Sequence, residues 1–274
     1  MAWHITDNVD DFLAGAGEFL RSRPVENTVL LTVTDNVRQR GSAAYGDEPP
    51  MFGWCDDGAF LRTPPHSALL SVMSPADATD LAALLADTQL PSVIGPDATV
   101  EAFAAEWQRR TGTTAAEKGR QRLFRLGTLV PPTPAAPGAA RVAGAEDRDL
   151  LVAWMTTFQR EIGELPQHTG DFVDDKLSYG GLSLWEVNGE PVSMAGLTRN
   201  KAGMVRVQAV YTPREHRTHG YAGAITTAVS RAALDAGATD VVLFTDLANP
   251  TSNALYQRIG FTPIEDRTLV EFVR

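Results

Sequence analysis

The sequence predicts a mixed α/β (α+β) protein made of two successive domains, each a mixed β-sheet flanked by helices. Three observations lead there. Hydrophobic periods of about 3.6 and about 2 residues alternate along the chain, as helices and strands do. The stretch Gly127–Ala140, with Pro131-Pro132-Thr133-Pro134 and Pro137-Gly138, reads as a linker. On either side of it one order of elements recurs: helices, a hairpin, a strand, a helix, a strand, a helix and a final strand. The expected boundaries are 1–126, 127–140 and 141–274. With 274 residues, 43% of them hydrophobic, the chain has material for two cores.

In the first half, Val9, Phe12, Leu13, Ala16, Phe19 and Leu20 keep helical spacing until Pro24 stops the helix. Val25–Arg38 is rich in Thr and Val, which favour strands, yet Leu30, Val33 and Val37 keep helical spacing; a helix is expected. Met51–Cys55 and Ala59–Arg62 flank Asp56-Asp57-Gly58 as a hairpin. Leu69–Met73 is a strand, and Pro75 opens a helix that runs through Leu85. Val93-Ile94 is a strand, Val100–Trp107 belongs to a helix, and Arg120–Leu126 is a strand.

After the linker, Arg141–Ala143 is a short strand, and Asp147–Arg160 and Asp171–Tyr179 are helices. Leu182–Val187 and Val192–Thr198 form a hairpin across Asn188-Gly189, a strong turn dipeptide. Met204–Tyr211 is a strand that turns and opens a helix at Gly220, where Ala222, Ile225, Val229 and Ala233 recur at helical spacing up to Gly237. A helix opened by such a turn offers unpaired N–H groups and a positive dipole end, which suits a phosphate. Beyond the strand Val241–Phe244, Asn249 is a good N-cap, Pro250 fits the first helical position, and Gly260 follows the last turn. On that helix Asn249, Asn253 and Tyr256 share one face, while Leu255 and Ile259 face inward toward Phe261.

The segments Arg217-Thr218-His219-Gly220-Tyr221-Ala222 and Asn249–Phe261, in this order, resemble the two signatures of the GNAT superfamily of N-acetyltransferases. The first follows [Q/R]-x-x-G-x-[G/A]; the second keeps the Asn, Tyr and Gly-Phe order. The resemblance covers the second half of the chain. It implies two tandem GNAT-like domains, the first lacking the acetyl-CoA motif: Ser74-Pro75-Ala76-Asp77 stands where the phosphate turn would fall, and Asp77 would repel a pyrophosphate. An unrelated α/β cap is the alternative for that half. It further implies acetyl-CoA as cosubstrate, held by the backbone of Val210, Tyr211 and Thr212, by Arg217, Thr218, His219, Gly220, Tyr221 and Ala222, and by Asn249 and Asn253. Tyr256 matches the tyrosine that protonates the departing thiolate, or it is a core tyrosine. Arg214, Thr218 and His219 depart from the commonest wording of the motif, and Thr218 replaces a frequent glycine.

The expected activity is transfer of an acetyl group to a primary amine by direct attack in a ternary complex. A non-enzymatic acyl-CoA-binding regulator and an aminoacyl transferase fed by charged tRNA are the competing classes. A net charge of -10 argues against nucleic-acid and anionic-membrane partners and makes a cationic or neutral acceptor, small molecule or peptide, easier to steer. The general base is open among Glu161, Glu164, Glu186 and Asp246. His216 and His219 lack further ligands for a metal, and none is expected. Cys55, the single cysteine, cannot form an internal disulfide. Without a basic, apolar leader or a long apolar run, a cytoplasmic monomer or homodimer is expected.

Overall fold

The computed structural model describes residues 2–163, 166 and 168–273. They form two compact units. The first contains Met1–Leu123, Thr245–Ala248 and Ile264–Arg274; the second contains Phe124–Phe244 and Asn249–Pro263.

The first unit begins with β1 (His4–Thr6), α1 (Val9–Ser22) and α2 (Thr28–Arg40). Asn8 caps α1 by accepting from Asp10 and Asp11 N–H. The ambiguous segment around Val33 is helical because Leu30, Leu31 and Val37 are buried on one side. The hairpin of β2 (Met51–Cys55) and β3 (Gly58–Arg62) follows, then β4 (Ala68–Leu70), α3 (Pro75–Leu85), β5 (Ser92–Pro96), α4 (Asp97–Thr111) and β6 (Thr114–Leu126). β1 pairs with β2 from His4↔Trp54 to Thr6↔Phe52. The long last strand of the chain, β12 (Phe261–Val273), lies beside β5, with Arg267↔Pro96 through Glu271↔Ser92 in register. Phe60, Leu70, Leu81, Val93, Phe103 and Val270 fill this unit's core.

The second unit repeats the order with β7 (Ala139–Val142), α5 (Arg148–Glu161), α6 (Thr169–Leu177), β8 (Leu182–Val187), β9 (Glu190–Leu197), β10 (Met204–Tyr211), α7 (Tyr221–Asp235), β11 (Asp240–Asp246) and α8 (Pro250–Arg258). Its strands run β11-β10-β9-β8-β7. Asn188 and Gly189 join β8 to β9 with φ of 53° and 84°, the geometry of a tight hairpin turn. One apolar cluster, with Val205, Val207, Ile225, Tyr256 and Phe261, packs α7 and α8 against the sheet. A second, with Leu151, Val173, Leu184, Ala209 and Tyr211, packs α5 and α6 on it.

Candidate active site

β10 changes character halfway along. Its parallel register with β11 runs from Met204↔Asp240 to Val207↔Leu243, and Gln208–Tyr211 continue past it. On its other side the antiparallel register with β9 shifts between Gln208 and Tyr211. Ala209, inside this bulge, has φ of 51°, a left-handed conformation that costs a non-glycine residue on the order of 1–3 kcal/mol. The extra residue reverses the strand's parity. Val205 and Val207 point into the α7/α8 cluster, whereas Ala209 and Tyr211 join the α5/α6 cluster and Val210 packs against the first. The bulge thus carries the last residues of β10 away from β11 and turns the Tyr211 ring toward Trp154 and Phe158 of α5, 6.2 and 6.1 Å away between centroids.

Buried Ser193 of β9 fixes the end of the strand. Its hydroxyl donates to the Tyr211 carbonyl at 2.9 Å and lies 2.9 Å from the Thr212 hydroxyl. The Arg217 side chain donates to the Thr212 carbonyl at 2.9 Å and to Glu161 at 2.5 Å, and Arg214 donates to the same carboxylate at 3.2 Å. Burial pushes the Glu161 pKa up, but the two guanidiniums outweigh it and hold the carboxyl below the usual range. Glu161 therefore clamps the loop.

That loop ends in two left-handed residues, Thr218 (φ 68°) and Gly220 (φ 82°), before α7 starts at Tyr221. No side chain among the described residues caps α7, so no side chain takes up its first N–H groups. A Cβ on Gly220 would have nothing nearer than 3.8 Å, which leaves the approach to those N–H groups open. Uncapped donors at a positive helix end are a fitting cradle for a pyrophosphate. His219 stacks on Tyr221 at 5.5 Å.

The matching places in the first unit are closed. Ser74 accepts from the Asp77 N–H at 3.1 Å and donates to the Asp77 carboxylate at 2.6 Å, so α3 is capped by its own side chains with a negative charge at its mouth. β4 stays paired with β5 through Leu69↔Ile94, where Gly95 admits Leu70 to a distance at which a Cβ would sit 2.9 Å from the Leu70 Cβ.

On α8, Asn249 accepts from the Ser252 N–H at 3.0 Å, and the Asn253 amide donates to the Asn249 carbonyl at 2.7 Å. Both amides thus serve their own helix. Tyr256 departs from the polar face expected for it: its ring is the buried side chain of α8, 6.1 Å edge-on from Phe261. Helical spacing alone does not separate these faces, because Tyr256 sits three residues before the core residue Ile259. Burial pushes the phenol pKa up to about 12. Val210 packs on the same cluster. Sequence reasoning missed Ser193, which only the register of β9 on β10 could have revealed.

A cavity of about 680 Å³ opens beside the end of β10, lined by Trp154, Arg160, Glu161, Tyr211 and Arg214 among others. Of the base candidates, Glu161 is paired as above, Glu186 accepts from Arg141 at 2.7 Å, and Asp246 accepts from the Ala248 N–H at 2.8 Å. Glu164 lies outside the described residues. No helix among the described residues is long and apolar enough to cross a membrane.

Residues 145–261 match the model of the acetyltransferase (GNAT) family. No curated protein matches the sequence. Among solved structures, a Drosophila protein is similar at a TM-score of 0.67 and 16% identity, covering 98% of each chain. A GNAT-family acetyltransferase from Colwellia psychrerythraea has a TM-score of 0.62 at 12% identity over 100% of each chain. A tandem GNAT protein of the clavulanic acid biosynthesis pathway has 0.56 at 12% identity, covering 99% of this chain and 98% of its own. At such identities the likeness is one of fold. It extends over both units, whereas the family model matches the second half alone.

Proposed function

We propose that the GNAT acetyltransferase domain at residues 145–261 takes acetyl-CoA at the end of β10 and the mouth of α7, and passes the acetyl group to a primary amine. The observation that carries this reading is a strand bulged away from its neighbour beside an uncapped helix N-terminus. Acetyl-CoA supplies the activated acyl group. The N–H groups from Arg217 to Ala222 bind its pyrophosphate, with Gly220 keeping their approach clear. The backbone of Val210, Tyr211 and Thr212 takes the pantetheine arm as an added strand, and its N–H groups favour the charge that develops on the thioester oxygen.

The acceptor reaches the thioester from the cavity beside Tyr211. Its neutral nitrogen attacks the carbonyl carbon directly, and the carbon–sulfur bond breaks. Tyr256, whose phenol burial keeps protonated near neutral pH, gives a proton to the departing sulfur and is reprotonated, by way of water, with the proton that the attacking nitrogen loses. An overall charge of -10 raises the local concentration of a cationic amine.

The test is thiol release from acetyl-CoA with polyamines, amino acids, aminoglycosides and a lysine peptide. At least one amine should accelerate release, and Gly220→Asp, which brings a carboxylate to the mouth of α7, should abolish it while the protein stays folded. Equal release by a folded Gly220→Asp protein would place the phosphate site elsewhere. Tight CoA binding without turnover on any amine would point to a regulator instead.

A further inference from the structure

The linker, residues 127–140, is tied down at both ends within the second unit. At its start the Gly127 N–H donates to the Gly260 carbonyl at 2.9 Å, and the Val130 N–H donates to the Ile259 carbonyl at 3.0 Å, by the C-terminal end of α8. At its finish the Trp185 indole donates to the Pro137 carbonyl at 2.8 Å, and Ala139 pairs with Glu186 as β7 begins. Between these anchors the chain crosses the first turn of α7. A Cβ on Gly223 would meet Pro132 Cγ at 3.4 Å, and a Cβ on Gly220 would meet Ala136 Cβ at 3.8 Å. Gly220 and Gly223, three residues apart, share a face, and the linker runs along it. Burial agrees: Pro132 and Ala136 are half-buried, whereas Pro131, Thr133, Pro134, Ala135 and Pro137 are exposed.

Pro131, Pro132, Pro134 and Pro137 leave this crossing few conformations. Anchored and stiff, it is a strap that stays in place rather than a lid. Its composition suits an anion. Residues 127–140 contain no charged side chain, in a chain that is 21% charged and carries a net charge of -10. In the first unit, by contrast, the Asp77 carboxylate stands at the mouth of α3. Apolar groups on the flank of α7 exclude water, and a lower local dielectric strengthens the pull of backbone N–H groups and of the helix end on a phosphate.

We propose, on the reading given above for the α7 mouth, that residues 131–136 form one wall of the acetyl-CoA site, with Ala136 flanking the cofactor's pyrophosphate. These residues precede the segment 145–261 that matches the family model.

The test is CoA binding by the full-length protein, measured by calorimetry without an acceptor. Ala136→Glu puts a carboxylate on the flank and should weaken CoA about 5–10-fold, while Ala136→Lys should tighten it about 2–5-fold. The gap between the two should narrow from 0.1 to 1 M salt, where the screening length falls from about 10 to about 3 Å. Val130→Glu carries the same charge at the far anchor and should change CoA affinity less than about 2-fold. Should either Ala136 variant not fold, the same charge pair at exposed Ala135 makes the comparison.

Gly220→Asp separates this proposal from the reading beneath it. If Gly220→Asp leaves CoA affinity unchanged, or the wild type binds no CoA, the phosphate site is not at α7 and the strap falls with it. If Gly220→Asp abolishes binding while Ala136→Glu and Ala136→Lys bind alike, the phosphate site stands and the strap is overturned. Equal losses in Val130→Glu and Ala136→Glu, or a gap that does not narrow with salt, would overturn the strap as well.

Discussion

Tyr256 is the proton donor in the proposed reaction, and Thr218 is one of the non-glycine residues of the second unit held at positive φ. Tyr256→Phe keeps the ring against Phe261 and removes only the hydroxyl. If that hydroxyl protonates the leaving sulfur, turnover falls about 10²–10⁴-fold while CoA affinity holds, read from steady-state kinetics and calorimetry. A loss of about twofold returns Tyr256 to the core and ends its catalytic assignment. Thr218 is exposed and stands at φ 68°, where a β-branched residue is strained. Thr218→Gly removes that strain at the cost of a looser unfolded chain, so a net gain of about 1 kcal/mol is expected in urea unfolding. Destabilisation would show that the Thr218 hydroxyl, which donates to its own neighbour's carbonyl at 2.6 Å, matters more than the backbone. Gly220 at the turn into α7 was legible because a left-handed position before a helix favours glycine. The clamp of Glu161 on Arg214 and Arg217 was not, since it joins positions more than fifty residues apart.

Elements were legible where their period was clear and long. Helices α1, α3, α5 and α7 and both hairpins follow from spacing, caps and turn dipeptides. β1, with three residues, is too short to show alternation, and the bulge in β10 leaves the alternating pattern of its sequence intact while reversing what each residue faces. Also hidden was Lys176, a buried cation that ties α6 to β9. Its ammonium donates to the Tyr179 hydroxyl at 2.6 Å and the Leu197 carbonyl at 3.1 Å. Burial pulls its pKa down to about 7, with Arg206 adding to the effect, Asp175 opposing it and Arg199 adding a little more. The unfolded chain, with lysine near its ordinary value of about 10.4, then binds more protons than the folded one between pH 7 and that value. Stability should therefore climb with pH above 7, by at most about 1.4 kcal/mol per unit, and the cost of the buried charge is present in full below 7. Urea unfolding from pH 6 to 9 should show this slope in the wild type and lose it in Lys176→Met. Parallel curves for the two proteins would mean that the ammonium keeps its charge in the fold.

At the scale of the molecule, the first unit is completed by residues from the far end of the chain. Ile264–Arg274 cluster with it, and β12 pairs with β5 over five residues from Arg267 to Glu271. A left-to-right reading of sequence cannot tell which sheet a last strand joins, because strand pairing is not encoded in a strand's own pattern. The contribution is large: Val270 lies in the core of the unit and Phe272 packs on Trp107 and Phe103. Arg267, 4% exposed, donates to the Glu26 carbonyl and to Glu265, and Thr268 donates to Asp97 at 2.7 Å. A chain ending at Pro263 would strip β5 of this partner, open an apolar edge and leave Asp97 and the Glu26 carbonyl without these donors. The loss of one large apolar side chain alone costs about 2–5 kcal/mol, a large share of a domain's stability of about 5–15 kcal/mol. The truncated protein should therefore lose the first unit's fold. In limited proteolysis, cleavage should concentrate within residues 2–123, and supplying Ile264–Arg274 as a peptide should restore protection there. A truncated chain that resists proteolysis as well as the full one, with the same thermal transition, would show that the first unit stands without its last strand.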